Sequence, residues 1–390
     1  MNRWIRGAVL FLAALSLLAA PGLSSAADPI KIGVTQPLTG AVAASGNYVV
    51  QGAKIAEAWL NEKGGILGKK VELIIEDNKS NPKEAVATAE KLIVRDKVPA
   101  LMGAWSSTYT LAVMPKLMEY GVPMVVETSS SGKITTSGNP WIFRISPTSA
   151  MEAAAMAKHV KNFNIKQADF LVVNNDWGLG AADKFSNMLE AQGITVGVKE
   201  TMDAKAQDLS AQLAKIKASG GDTLFLTTGV EQITLVLRQA KEQRLTHRIV
   251  TTGGSSSPDQ LVSQAGAAAD GSYHVLFFAP WFPESAPNPD VASKFVAEWK
   301  RRGYNFAGLT EGFRGHDGVM TIAAAIQKAG KAEPEAIRKA LWGVKVRGVN
   351  GPISFFKQGP RGRESAQSQP SVYIVQIKDG KVTLPAFMKN

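Results

Sequence analysis

The sequence predicts an α/β protein made of two doubly wound parallel-sheet lobes, and three observations support that class. Short runs of β-branched and other apolar residues alternate with segments whose apolar side chains recur at helical spacing, the pattern of parallel βαβ units. The alternation runs twice, in two series of similar length separated near residues 143–147. The 390 residues are 45% hydrophobic and 20% charged, enough for each series to bury a core of its own.

The first series opens with a strand at 30–34. A helix over 47–61 carries Val49, Ala53, Ala56 and Leu60 on one face, Gly64 and Gly65 end it, and a strand follows at 71–75. The cycle repeats with helix 82–95, strand 99–103, helix 109–119 and strand 122–126. The second series reads as helix 149–163, strand 170–174, helix 179–192, strand 195–199, helix 208–218, strand 223–227 and helix 231–243, then strands at 249–252 and 273–278. Helices at 289–302, 311–329 and 335–341 have too few strands beside them for a third unit and must pack on an existing lobe. The tail over 353–384 reads as short strands with a turn at 378–380 and a basic Gly/Pro loop at 359–362.

Composition excludes several chemistries. With no Cys there is no thiol nucleophile, no thiolate-bound metal, no disulfide and no lipid anchor on sulfur. The four His, at 159, 247, 274 and 316, are too far apart in sequence for a local multi-His site, so neither a metal nor a cofactor is expected. Residues 1–27 read as a signal peptide. Arg3 and Arg6 precede an apolar run too short to span a bilayer, and Ser25, Ala26 and Ala27 offer a small-residue cleavage site. Its removal takes two Arg and no acid, so the formal charge falls from +11 to +9. The expected product diffuses freely in a periplasm. Its basic residues are scattered, and the densest stretch, 357–363, lacks interleaved aromatics, so no nucleic-acid partner is expected.

In open α/β sheets, ligands sit beyond the carboxyl ends of the strands. Here those ends are rich in hydroxyls and glycine: Trp105, Ser106 and Ser107; Glu127, Thr128, Ser129 and Ser130; Asn175, Asp176 and Trp177; Thr228, Gly229 and Val230; Gly253, Gly254 and Ser255. One such loop reads as a helix cap, but five together predict a cleft that cradles a carboxylate with hydroxyls and backbone amides. Trp105 is expected in the cleft wall, and Trp281 in either that wall or packing between lobes.

The motifs Lys31-Ile-Gly-Val-Thr-Gln-Pro-Leu-Thr-Gly40, Gly64-Gly-Ile-Leu-Gly68, Glu76-Asp-Asn-Lys-Ser-Asn-Pro82, Gly103-Ala-Trp-Ser-Ser107 and Phe143-Arg-Ile-Ser-Pro147 follow in order along the chain. With the leader, they resemble the leucine/isoleucine/valine-binding branch of the type I periplasmic binding proteins, the soluble components of ABC importers. The resemblance implies three hinge crossovers between the lobes. It assigns 28–147 plus 279–350 to lobe one and 148–278 plus 351–390 to lobe two. It also implies a monomer, a membrane permease as partner and a ligand enclosed between the lobes. On this pattern Ser107, Thr128 and Ser130 hold the ligand carboxylate, and Trp177 stacks on the ligand from lobe two. Two positions depart from it: Ser45 stands where the amino-acid binders have an aromatic, and the 253–255 stretch stands where they have an ammonium-binding Glu. Glu127, Asp176 and Glu231 are the acids that could replace it. The resemblance implies a branched-chain or other hydrophobic amino acid as the ligand, provided one of these acids reaches the cleft; the alternative, if none does, is an amine-free aromatic or aliphatic carboxylic acid.

An enzyme finds no support. There is no G-x-S-x-G elbow; the 127–134 stretch imitates a phosphate loop with Glu127 and Ile134 at the wrong positions, and the glycines from Gly178 end on Asp183. His316 and Asp317 could form a base and its orienter, but Asp317 reads more simply as a first-turn acid favoured by a helix dipole. A ligand-sensing receptor partner remains the alternative to transport.

Overall fold

Two seven-stranded sheets organise the protein, which is described by a computed structural model over residues 28–388. The expected signal peptide at 1–27 lies outside the described residues. Sheet one runs in the order Phe356–Gln358, Ser365–Gln367, Ile142–Arg144, Met124–Val126, Leu101–Gly103, Ile30–Gln36, Val71–Asp77. Sheet two runs Lys381–Thr383, Tyr373–Lys378, Tyr273–Leu276, Arg248–Thr251, Thr223–Thr227, Gln167–Val173, Thr195–Met202. The inner strands pair in parallel, as their doubly buried apolar runs require, and antiparallel pairs occur only at the tail end of each sheet. The two-lobe α/β class therefore stands as expected.

The tail corrects one boundary. The chain leaves sheet one after Ile142–Arg144, returns after Tyr273–Leu276, and crosses a last time between Ser365–Gln367 and Tyr373–Lys378. Residues 351–367, assigned to lobe two from the sequence, thus belong to lobe one. The basic Gly/Pro loop at 359–362 is the turn of a hairpin whose second strand pairs with Phe143 and Arg144. Gln367 fastens it there: its Oε1 accepts from Arg144 Nε at 2.6 Å, and its Nε2 donates to the Ser146 carbonyl at 2.9 Å.

Lobe one owes its shape to a crossing of helices Ala43–Glu62 and Leu309–Ala329. Glycine makes the crossing close. A Cβ on Gly52 would stand 1.7 Å from the Gly312 carbonyl oxygen, and one on Gly315 would stand 1.9 Å from that of Val49. The second helix starts at Leu309, so Asp317 lies well inside it and not in its first turn. Burial explains its use: Asp317 accepts from the backbone N–H of Val349 at 2.9 Å and bonds His316 Nδ1 at 2.9 Å, tying the 348–350 turn to the helix. This pair is structural.

We expect Gly52→Ala or Gly315→Ala to destabilise the protein by about 1–3 kcal/mol or more, because backbone cannot yield as a side chain does. Gly180, in helix Asp176–Ala191 with open space around it, is the control: Gly180→Ala should stabilise by roughly 0.5–1 kcal/mol. Urea midpoints of the three variants check both signs.

Candidate functional site

The carboxyl ends of the two sheets face each other across a cavity of about 150 Å³. Lobe one contributes Trp105, Ser106, Ser107, Tyr109, Thr128, Ser129 and Ser130, with Ala41, Val42 and Ser80. Lobe two contributes Val173, Asn175, Trp177, Ala204, Lys205, Thr228, Gly229, Gln232, Gly253 and Ser255. A larger groove of about 920 Å³ runs along the hinge side, but helix surfaces around Lys133, Met151 and Leu179 line much of it, away from the converging strand ends. The smaller cavity is the candidate site.

Its lobe-one wall follows from a buried guanidinium. Arg144, at the end of its strand and fully buried, donates Nη1 to the carbonyls of Ser129 at 3.2 Å and Ser131 at 2.6 Å, and Nη2 to Thr135 Oγ1 at 2.6 Å. The carbonyls are thereby drawn inward, and the hydroxyl side of the loop is left along the cavity. Ser107 Oγ accepts the Ser131 N–H at 3.1 Å, which leaves its own proton available. Ser107 also begins helix Ser107–Tyr120, whose N-cap Ser106 makes no side-chain cap, so the first-turn amides remain without side-chain partners. Ser130 Oγ lies 3.3 Å from Ser149 Oγ. Ser129 differs. Its hydroxyl donates to the Trp105 carbonyl at 2.9 Å and pairs with Thr110 Oγ1 at 2.8 Å, so it braces the wall.

Trp105 is 6% exposed, with its Nε1 donating to Glu311 Oε2 at 3.4 Å. Across the cavity Trp177 lies against the Gly253 turn, where a Cβ would stand 2.2 Å from the indole. Asn175 caps that helix by accepting from the N–H groups of Trp177 and Gly178, both at 3.0 Å.

Four expected ligand residues do not reach the cavity lining. Asp176 turns to the rim, where it pairs with Lys133 Nζ at 3.0 Å and accepts from Thr108 Oγ1 at 3.3 Å. Glu127 is buried behind the wall, accepting from Gln36 Nε2 at 2.8 Å. Val230 is buried at the start of its helix, and Gly254 abuts Phe277 while its carbonyl accepts from Arg314 Nη2 at 2.7 Å. Glu231 is also outside the lining, as is Trp281, whose Nε1 bonds the Asp259 carboxylate. Conversely, sequence reasoning missed Lys205 and Gln232. Lys205 follows the strand Thr195–Met202, whose carboxyl end is not among the five loops named from the sequence; Gln232 lies in the first turn of helix Val230–Glu242, just past the Thr228–Val230 loop.

Behind the cavity lies a group of buried charges. Arg314 faces the carboxylates of Glu311, Glu127 and Glu152, and spans from lobe one to the Gly254 carbonyl of lobe two. Glu152 Oε2 accepts the Gly253 N–H at 2.7 Å. Burial pushes the Glu152 carboxyl up to about 8, with the Gly253 bond and the Arg314 charge pulling the other way, and burial raises Glu127 and Glu311 as well. The sign follows. Unfolded Glu152 loses its proton near its ordinary value of 4.5 while the native group keeps it to about 8, so stability should fall as pH rises across that window. Glu152→Gln keeps an acceptor for Gly253 and should flatten the decline; urea midpoints at pH 5 and pH 8 for both proteins measure it, and an unchanged slope would contradict the assignment.

Comparison with known proteins bears on this geometry. A family model described as "Periplasmic binding protein" matches residues 29–381. A Pseudomonas aeruginosa protein named as binding leucine, isoleucine, valine, threonine and alanine is 29% identical over 348 residues, covering 89% of this chain and 91% of that one. The crystal structure of a leucine binding protein, LivK, from Thermotoga maritima superposes with a TM-score of 0.80 at 30% identity, over 92% of this chain and 98% of its own. A solute binding protein of an ABC transporter from R. palustris, solved in complex with 4-hydroxybenzoate, does so with a TM-score of 0.77 at 27% identity, over 92% and 96%.

Proposed function

The chain belongs to the type I periplasmic binding proteins, in the leucine/isoleucine/valine-binding branch, and from that premise we propose that it encloses a compact, amine-free carboxylic acid for the permease of an ABC importer. The family consists of non-enzymatic solute binders, so the cavity is a place of capture and release. Its partners on this reading are the acid itself and a membrane permease, and the protein works as a monomer whose lobes swing about the three crossovers.

One observation carries the choice of ligand. No acidic side chain lines the cavity among the described residues: Glu127 accepts from Gln36, Asp176 pairs with Lys133 at the rim, and Glu231 stays outside the lining although its Oε2 comes within 3.4 Å of the Cβ position of Gly229. Enclosing an α-ammonium without a carboxylate partner costs several kcal/mol. A carboxylate is well served by Ser107, Ser130 and the amides that open helix Ser107–Tyr120, with Thr128, whose hydroxyl donates to Glu127 Oε1 at 3.3 Å, beside them. Trp105 and Trp177 suit a flat apolar body. The R. palustris neighbour with 4-hydroxybenzoate supports this class. Relatives named for leucine support a branched-chain amino acid as the second reading.

Paired titration calorimetry separates the two: binding of benzoate-type acids with leucine silent is the expected result, and tight leucine binding with no response to acids would refute it. Ser107→Ala tests the cradle. Charge-assisted hydrogen bonds contribute roughly 1.5–3 kcal/mol, so the variant should bind the acid about tenfold or more weakly with its fold retained. Unchanged affinity would remove Ser107 from the site.

A further inference from the structure

We propose that Lys205, with Gln232 on the same wall, forms a second polar subsite that selects carboxylic acids carrying another oxygen acceptor at the end of the molecule far from the carboxylate. This deepens the amine-free acid reading and rests on it.

The two walls of the cavity differ in kind. Lobe one offers hydroxyls and helix amides, a complete set for one carboxylate. Lobe two adds Lys205, the one charged side chain among the described lining residues. Its backbone is held by neighbouring side chains: the Lys205 N–H donates to Asp203 Oδ1 at 2.7 Å, and its carbonyl accepts from Gln207 Nε2 at 3.1 Å. The ammonium itself enters no ion pair among the described residues, unlike Lys133 or Lys215. Gln232 is half-buried, and its amide makes no side-chain hydrogen bond in the described structure, whereas Asn175 nearby has its oxygen committed to a helix cap.

A cavity of about 150 Å³ leaves little room for water between a ligand and the half-buried Gln232 amide. Closing it on a wholly apolar far end would leave the half-buried Gln232 amide without a partner, whereas an oxygen there bonds it and can also accept from the Lys205 ammonium, which is solvated and enters no ion pair among the described residues. A hydroxyl is especially apt, because it can accept from Lys205 and donate to the Gln232 oxygen; a second carboxylate can accept from both. Sites built to bond a polar substituent discriminate strongly against analogues that lack it.

The test is calorimetric titration of the full mature chain with benzoate, 4-hydroxybenzoate and terephthalate, in the wild type, Lys205→Met and Gln232→Leu. Lys205 is exposed, so its substitution should leave the urea midpoint unchanged. The wild type is expected to bind at least one of the two para-substituted acids about tenfold more tightly than benzoate, and Lys205→Met to bring that ratio to within about threefold. Equal binding of all three acids by the wild type would overturn the proposal while leaving the carboxylic-acid reading intact. So would a preference that persists in both variants, or a uniform loss for all three acids in Lys205→Met. Leucine binding with all three acids silent would instead remove the carboxylic-acid reading, and the second subsite with it.

Discussion

The lobe-one wall of the cavity depends on a guanidinium buried away from solvent. Arg144 is fully buried, and a charge in that position is tolerable only when the chain supplies its acceptors. It takes two carbonyls from the 129–131 loop, a hydroxyl from Thr135 and the Gln367 amide oxygen. One side chain thus sets the course of the loop that presents Thr128 and Ser130, the short helix after it, and the strand that precedes the last crossover. The planar fork of an arginine suits this task, and a lysine could not reach the same acceptors.

The lobe-two wall is held from both lobes. Its Gly253–Gly254 turn is fixed from two directions, by Glu152 on the N–H side and by Arg314 of lobe one on the carbonyl side. Because Arg314 also faces Glu127 and Glu311, and Glu311 accepts from the Trp105 indole, the aromatic wall of one lobe and the glycine turn of the other share a charge group. Gly253 admits the Trp177 ring only because it lacks a side chain. The two walls are mechanically joined near the hinge.

Much of this was legible in the sequence because the rule placing ligands at strand carboxyl ends is topological, and topology follows from periodicity. The loops of Ser107, Thr128 and Trp177, which line the cavity, were read that way, while the part each residue plays was implied by the family resemblance. What stayed hidden depended on partners remote in sequence. The strand read as 195–199 runs to Met202 because Glu200, Thr201 and Met202 pair with Leu171, Val172 and Val173, and that shift carries Lys205 to the cavity. Asn175 and Asp176 are neighbours with opposite fates, one a cap facing the cavity and the other turned to the rim, a difference of helix phase that composition does not encode. The tail hairpin was misplaced for a similar reason, since its attachment rests on the Arg144–Gln367 bond across more than two hundred residues.

The Lys133–Asp176 pair, with Thr108 donating to the same carboxylate, bridges the lobes at the rim. Contacts of this kind exist only while the lobes are together, so they act on the rate of escape and leave the rate of encounter untouched. Lys133 is well exposed, so mobile ions screen the pair. On the proposed reading of a solute captured as the lobes close, its residence time, more than its affinity for the open cleft, is then the property that the salt content of the surrounding fluid adjusts.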